Sequence, residues 1–173
     1  ANLNCVRAGI TMYGMYPSEE VQKDKVPLKP ALGLKSFVTY VKELGPGEEI
    51  SYGGTYVTER TMRIATVAVG YGDGYPRSLS NCGYVLICGK RARILGRVCM
   101  DQLMVDVTDI MEADVDTPVT LIGKDGDEEI TMEHLAELCG GFHYEMVCDI
   151  GKRVPRVYYR GGKVVGTMDC FAE

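Results

Sequence analysis

Three glycine-flanked blocks in the middle of the chain carry the side chains best suited to chemistry. They occupy residues 50–56 (ISYGGTY), 69–77 (VGYGDGYPR) and 96–102 (GRVCMDQ). In each block a polar or reactive group stands beside glycine at the end of an apolar run. Because glycine has no side chain, such a segment leaves room for a ligand to approach the backbone. We therefore expect the three blocks to contribute to a ligand site.

Tyr52 is the candidate acid/base residue of the first block. Ser51 precedes it and Gly53 and Gly54 follow it, and the pattern predicts a turn after a short strand. A tyrosine can exchange protons with a substrate when nearby cations lower its pKa from about 10. Most tyrosines serve in packing, and this chain has 11 of them, but the flanking glycines favour a ligand-facing role here.

The other two blocks have both a structural and a functional interpretation. Tyr71 lies in a glycine-rich turn in which Asp73 could simply bond its own backbone. Met100 and Asp101 follow Cys99, and alone this segment reads as a strand with Met100 in a core. Since no histidine lies near Cys99 in the sequence, we do not interpret it as a nucleophile.

A fourth block, residues 6–14 (VRAGITMYG), is typical of an anion-binding turn. A glycine between a strand and a helix exposes backbone N–H groups, and the helix N-terminus adds a positive dipole. Gly9 and Ile10 would supply the amides. A single glycine of this kind is more often only structural, and Arg7 could equally be a surface salt-bridge partner.

Composition excludes several classes of function. The net charge of −5 disfavours broad attraction to nucleic acid or an anionic membrane. No apolar run approaches the ~20 residues of a transmembrane helix, and no signal peptide is recognisable. Seven cysteines without a C-x-x-C pair indicate free thiols in a reducing compartment. Two histidines are too few for a histidine-rich metal site, so no metal is expected.

The element pattern predicts a mainly β protein, a barrel or a sandwich. A strand-like stretch at 3–10 is followed by a proline-containing linker at 17–30. Strands are expected from Ala31 onward, and apolar residues on both faces of the first strand predict that protein covers it on both sides. Thr131 is expected to cap one helix that ends at Gly140 and Gly141. The other predicted strands are 62–70, 84–88 and 91–95 about a Gly89-Lys90 turn, 98–107, 118–122, 144–150, and a closing hairpin of 154–159 and 163–168.

In order and spacing, the four blocks resemble the C-terminal portion of the alanine racemase family, which depends on pyridoxal 5′-phosphate (PLP). The resemblance covers nearly the whole chain. It implies that residues 1–16 are the end of a (β/α)8 barrel, 17–30 a linker and 31–173 a C-terminal β-domain of barrel or Greek-key type. The lysine that holds PLP lies in the N-terminal barrel, outside this chain. We therefore expect a piece of a longer enzyme that is inactive by itself.

The resemblance also implies the activity, the setting and the partners. The intact enzyme would interconvert L- and D-alanine for bacterial cell-wall synthesis, in the cytoplasm and as a head-to-tail homodimer. Each β-domain would complete its partner subunit's pocket, with no nucleic acid or membrane involved. The implied roles are Tyr52 as the second base; Met100, Asp101 and Tyr71 as substrate-binding residues; Arg7, Gly9, Ile10 and Lys152 as cofactor-binding residues; and Arg77, Arg97 and Ile150 as the access corridor.

Two departures from the family pattern concern the pocket. Gly72 stands where the family more often has alanine. Lys152 stands where many members have a tyrosine that bonds the PLP phosphate, which affects the preference between alanine and serine. Two alternatives stay open: a racemase for serine or another small amino acid, and a non-catalytic β-barrel used for oligomerisation.

Overall fold

A computed structural model describes residues 4–171 as a mainly β structure with two short α-helices. The α-helices are α1 (Met132–Cys139) and α2 (His143–Asp149). Single 3₁₀ turns lie at Gly9–Tyr13, Tyr52–Gly54, Tyr71–Asp73 and Arg77–Leu79. The strands are β1 (Leu34–Leu44), β2 (Glu49–Ile50), β3 (Tyr56–Val57), β4 (Met62–Val67), β5 (Tyr84–Ile87), β6 (Lys90–Leu95), β7 (Leu103–Asp106), β8 (Pro118–Asp125), β9 (Glu128–Ile130), β10 (Arg156–Arg160) and β11 (Lys163–Met168).

Six strands close into an antiparallel barrel because β1 pairs at both of its ends. The sheet order is β1-β4-β7-β6-β5-β8-β9, and β1 also pairs with β8. Its first half, up to Phe37, pairs with β8, and the rest pairs with β4 across a register shift between Val38 and Tyr40. Closure pairs strands that would otherwise be sheet edges. The mainly β prediction is confirmed, in the barrel form.

The barrel interior is filled by inward-facing aliphatic side chains. Along the first half of β1 burial alternates, with Leu34, Ser36 and Val38 inside and the intervening residues exposed. Phe37 and Tyr40 face outward, so the expectation that β1 is covered on both sides is wrong. The residues whose side chains are fully enclosed include Val38, Ala65, Val67, Leu86, Ile94, Leu103, Val105, Val119 and Leu121.

Most of the segment 144–150 lies in helix α2 rather than in the predicted strand, and Ile150 follows the helix. The segment's residues Tyr144, Val147 and Ile150 favour a strand by propensity. In the structure Met146 and Val147 of α2 are buried in the main core, and α2 lies against α1. Burial of one helical face therefore outweighs local propensity. The preceding helix is confirmed: the Thr131 side chain accepts the His134 N–H at 3.1 Å, and Gly140 ends α1 in the left-handed region.

Three further strand predictions need correction. The predicted strand 98–107 is reduced to β7, because 98–102 forms a loop in which the Cys99 N–H bonds the Gln102 carbonyl. The β5–β6 turn is Cys88-Gly89, both at positive φ, as two-residue hairpins prefer. Of the predicted strand 3–10, residues 4–8 form no strand, since no other strand of 4–171 pairs with them; Leu3 lies outside the described residues.

Residues 17–30 contain no helix or strand, and the closing hairpin forms as β10 and β11. No helix within 4–171 is long and apolar enough to cross a bilayer. Nor does that part of the chain hold three or more metal-binding side chains grouped around one point. The domain boundaries at 16, 30 and 31 stay predictions.

Candidate active site

The loop between β2 and β3 carries Tyr52. Backbone pairing of Ile50 with Tyr56 fixes the base of this loop, and its tip is the 3₁₀ turn Tyr52–Gly54. Ser51 enters the turn with a φ of 66°, a left-handed conformation that is uncommon for residues other than glycine. The Tyr52 side chain is 73% exposed, so its phenol is presented to solvent and to any ligand or subunit that docks there.

The Tyr52 loop rests on the segment that follows β6. The Ser51 hydroxyl donates to the Arg97 carbonyl at 2.7 Å. A Cβ placed on Gly96 would lie 2.5 Å from the Ile50 carbonyl oxygen, so only glycine allows this approach. The Arg97 guanidinium lies against Gly53, with Nη1 2.9 Å from the position of a Cβ there. A cation is thereby placed beside the turn that bears the phenol.

The second block folds back on itself as a tight turn that presents Tyr71. The Asp73 carboxylate accepts the Gly70 N–H at 2.9 Å, so the self-bonding turn predicted for Asp73 is present. Gly70 packs so closely on the next block that a Cβ would lie 2.2 Å from the Cys99 carbonyl oxygen. Tyr71 is 44% exposed at the rim of this turn.

The turn with Tyr71 is bonded directly to the loop with Met100. The Tyr71 N–H donates to the Cys99 carbonyl at 3.0 Å and the Gly72 N–H to the Met100 carbonyl at 2.8 Å. The Met100 N–H, by contrast, has no acceptor among residues 4–171. The Met100 side chain is 53% exposed, so this residue is not in a core as the structural interpretation required. A fixed amide with no internal acceptor can bind an anion such as a carboxylate.

Arg153 is a charged residue of this candidate site for which the sequence analysis predicts no role. Its Nη2 donates to Asp101 Oδ1 at 2.6 Å, and its Nε lies 2.9 Å from Asp73 Oδ1. The hydrogen bond with Asp101, with the charge of Asp73, raises the pKa of the Arg153 guanidinium, which stays protonated. Arg153 is more than 50 residues from either partner in the sequence, so no local pattern indicates these pairings.

The amino-terminal turn has the features expected of an anion-binding segment. Gly9 has a φ of 60°, and a Cβ placed there would meet no atom within 4 Å. The Gly9 and Ile10 N–H groups donate to no acceptor within the described part of the chain. The Ile10 side chain is buried in the main core and Arg7 is exposed. Lys152 is also exposed and forms no ion pair within 4–171.

The predicted site residues thus fall into two groups. Hydrogen bonds and close contacts join the Tyr52, Tyr71 and Met100 segments, with Arg97 and Asp101 beside them. No hydrogen bond or ion pair among the described residues links Arg7, Gly9 or Ile10 to them. Of the corridor residues, Arg77 is exposed at the start of a 3₁₀ turn, whereas the Ile150 side chain is buried and its carbonyl accepts Arg156 Nη2 at 2.8 Å.

Comparison with known proteins identifies the family. The family described as "Alanine racemase, C-terminal domain" matches residues 31–158. An alanine racemase of Desulforamulus reducens is 51% identical over 156 residues, which is 90% of this chain and 41% of that protein. The chain spans about two fifths of the length of the curated relatives it matches.

Two solved structures agree with this match. Alanine racemase from Bacillus anthracis with bound L-Ala-P superposes with a TM-score of 0.85 at 44% identity, covering 92% of this chain and 41% of that one. Alanine racemase from Bartonella henselae with covalently bound pyridoxal phosphate gives 0.77 at 29% identity, covering 87% and 40%. The chain belongs to the alanine racemase C-terminal domain family.

Proposed function

We propose that this chain is the C-terminal part of a PLP-dependent alanine racemase that interconverts L- and D-alanine. The observation that carries the proposal is the hydrogen-bonded assembly of three loops that presents the Tyr52 phenol, Tyr71 and the unpartnered Met100 amide. Racemisation needs a proton donor and acceptor at the α-carbon and a fixed grip on the amino acid. A scaffold used only for oligomerisation needs none of these groups.

Features of two segments support binding of the PLP phosphate. Gly9 and Ile10 offer amides without internal acceptors, with open space above Gly9, and Lys152 offers an exposed cation. We propose that these three groups hold the phosphate and that Arg7 faces the pyridine nitrogen, where a permanent cation opposes protonation. When bound, PLP withdraws electrons from the α-carbon of the amino acid and so makes its proton removable.

Each remaining residue has a role in binding or proton transfer. The Tyr52 phenol would move a proton at one face of the α-carbon, and a lysine outside this chain would serve the other face. The Met100 N–H would bind the substrate carboxylate, with Asp101 in the wall beside it and Tyr71 at the inner mouth. Arg77, Arg97 and Ile150 would line the access corridor.

We also propose that two subunits of the full-length protein pair head to tail in the bacterial cytoplasm. The exposed Tyr52, Tyr71 and Met100 side chains leave room for a second subunit, whose cofactor they would serve. The D-alanine formed would supply cell-wall synthesis.

The test is racemisation by the full-length protein that contains this chain, with PLP supplied. We expect saturable conversion of L- to D-alanine and of D- to L-alanine, and much weaker conversion of serine. Failure to interconvert either amino acid would overturn the proposal. Faster turnover of serine than of alanine would overturn the assignment of alanine as the substrate, but not the assignment of racemase activity.

A further inference from the structure

Arg153 joins two segments of the site through the two ends of its guanidinium. The Asp73 partner is well shielded, with a side chain 14% exposed, and its other oxygen is already bonded to the Gly70 N–H. The other partner, Asp101, is exposed at the surface. Arg153 therefore spans from the interior of the Tyr71 turn to the loop that carries Met100.

A third segment is fixed at the same point. The Gly151 N–H donates to the Asp73 carbonyl at 3.0 Å, and a Cβ on Gly74 would lie 2.0 Å from the Asp149 carbonyl oxygen. The chain after α2 is therefore packed directly on the Tyr71 turn. Since Lys152 lies between Gly151 and Arg153, these contacts also fix the position of the Lys152 backbone.

These contacts restrain the peptide units on both sides of Met100. The Tyr71 N–H holds the Cys99 carbonyl, in the same peptide unit as the Met100 N–H, and the Gly72 N–H holds the Met100 carbonyl in the next unit. Arg153 supports the first contact through Asp73 in the Tyr71 turn and the second through the side chain of Asp101. The direction of the Met100 N–H depends directly on the first restraint, because that N–H lies in the same peptide plane as the Cys99 carbonyl. The second restraint limits movement of the loop around it. A guanidinium can bond two carboxylates at once in a fixed geometry, whereas an ammonium acts as a flexible point charge.

The nearby Arg156 has a different role. Its guanidinium donates to the carbonyls of Ile150, Gly151 and Val154 and so stabilises the backbone after α2. Of these two arginines, only Arg153 contacts side chains of the substrate-facing loops.

We propose that Arg153 is a positioning residue that, through Asp73 and Asp101, aims the Met100 amide at the substrate carboxylate. The inference rests on the proposed racemase function. It assigns Arg153 no contact with the substrate or the cofactor.

The first test is Arg153→Lys in the full-length protein. Because the amide would bind substrate in the ground state and the transition state alike, we expect KM for alanine to rise by about 5-fold or more while kcat changes by less than about 3-fold. The inhibition constant of propionate, which has a carboxylate but no amino group, should rise in parallel. The matched control is Arg91→Lys, since Arg91 donates to Glu128 at 2.7 Å in an exposed pair on β6.

A second readout needs no activity. In the full-length protein without PLP, Arg153→Lys should speed hydrogen exchange at the amides of Tyr71 and Gly72, which bond the Met100 loop. Exchange in β1 should not change.

Coupling between variants gives the third test. The effects of Arg153→Lys and Asp101→Asn on KM should be less than multiplicative in the double variant, because both remove the same restraint.

Several results would overturn the inference. They are KM and propionate values for Arg153→Lys equal to those of Arg91→Lys, unchanged exchange at Tyr71 and Gly72, or fully multiplicative effects with Asp101→Asn. A full-length wild-type protein without racemase activity would instead refute the proposed function, and the exchange experiment would still report on the restraint.

Discussion

The Ser51 hydroxyl donates a hydrogen bond to the Arg97 carbonyl at 2.7 Å, and this bond joins the loop that bears Tyr52 to the segment that leads to Met100. The candidate base and the candidate carboxylate-binding amide are therefore held by a common support. The contact depends on the close approach of Gly96 to the Ile50 carbonyl.

Gly96→Ala should disrupt this support. Gly96 has a φ of 73°, and a Cβ there would clash with backbone and with Ser51. The control is Gly47→Ala, where φ is 85° and the space is open, so that only conformational strain is added. We expect Gly47→Ala to lower the free energy of unfolding by about 1 kcal/mol and Gly96→Ala by at least about 2 kcal/mol more. Urea unfolding measures both, and equal losses would contradict the close approach.

Tyr52→Phe should reduce turnover in the full-length protein by about 10²-fold or more, the scale of general acid/base catalysis. Loss of the phenol should abolish proton exchange at one face of the α-carbon and leave the other partly active. Deuterium incorporation from solvent, started from each enantiomer, checks this. Tyr159→Phe, on the exposed β10, is the control. Equal loss of exchange from both enantiomers would indicate a structural role for Tyr52.

Lys152→Ala should weaken PLP binding by about 1–3 kcal/mol, the scale of a charge-assisted hydrogen bond. Lys152 is exposed and has no carboxylate partner within 4–171, so its ammonium is available to a phosphate. Titration of the full-length apoprotein with PLP measures the change, with the exposed Lys163→Ala as control. An affinity within about 0.5 kcal/mol of wild type, accompanied by an altered preference between alanine and serine, would reassign Lys152 to pocket shaping.

Tyr75→Phe should leave stability at pH 7 unchanged or raise it by up to about 1 kcal/mol. The Tyr75 ring is buried, and its hydroxyl has no hydrogen-bond partner among the described residues. Removing an unsatisfied buried hydroxyl removes a desolvation penalty. A loss of stability in thermal unfolding would show that the hydroxyl is satisfied.

The stabilities of wild type and Tyr75→Phe should also differ in their dependence on alkaline pH. Burial raises the pKa of Tyr75 above its usual value near 10, because the neutral phenol is favoured in the folded protein. Ionisation of Tyr75 therefore leaves the free energy of unfolding unchanged below pH 10. Above pH 10 it lowers that free energy, by at most about 1.4 kcal/mol per pH unit. Wild type should lose stability above pH 10 more steeply than Tyr75→Phe. Parallel pH profiles would contradict this.

The sequence predicted the elements whose local signals agree with their packing. Thr131 and Gly140 mark both ends of α1, and the strands of the barrel follow their β-branched runs. The helix α2 could not be predicted, because Tyr144, Val147 and Ile150 favour a strand by propensity, and burial of Met146 and Val147 in the core is a tertiary effect. The β5–β6 turn was misplaced by one residue, because nothing in the sequence indicates that Cys88 takes a positive φ.

For the candidate site, the glycine blocks indicated which segments to examine, and the structure shows how these segments contact one another. The bonds from Tyr71 and Gly72 to the Met100 loop are backbone contacts that carry no residue-type signal. Arg153 is not predicted for a different reason: its two carboxylate partners are distant in the sequence and become neighbours only in the folded structure.

Closure of the barrel also bears on how the chain folds. Lys35 in β1 and Thr120 in β8 are neighbours in the ring and lie 85 residues apart in the sequence. Pairing at this separation loses much chain entropy before it gains any contacts, which slows folding. Until β1 pairs with β8, one edge of each strand can pair with other molecules. We infer that the chain is most prone to aggregate at the stage of folding before β1 pairs with β8.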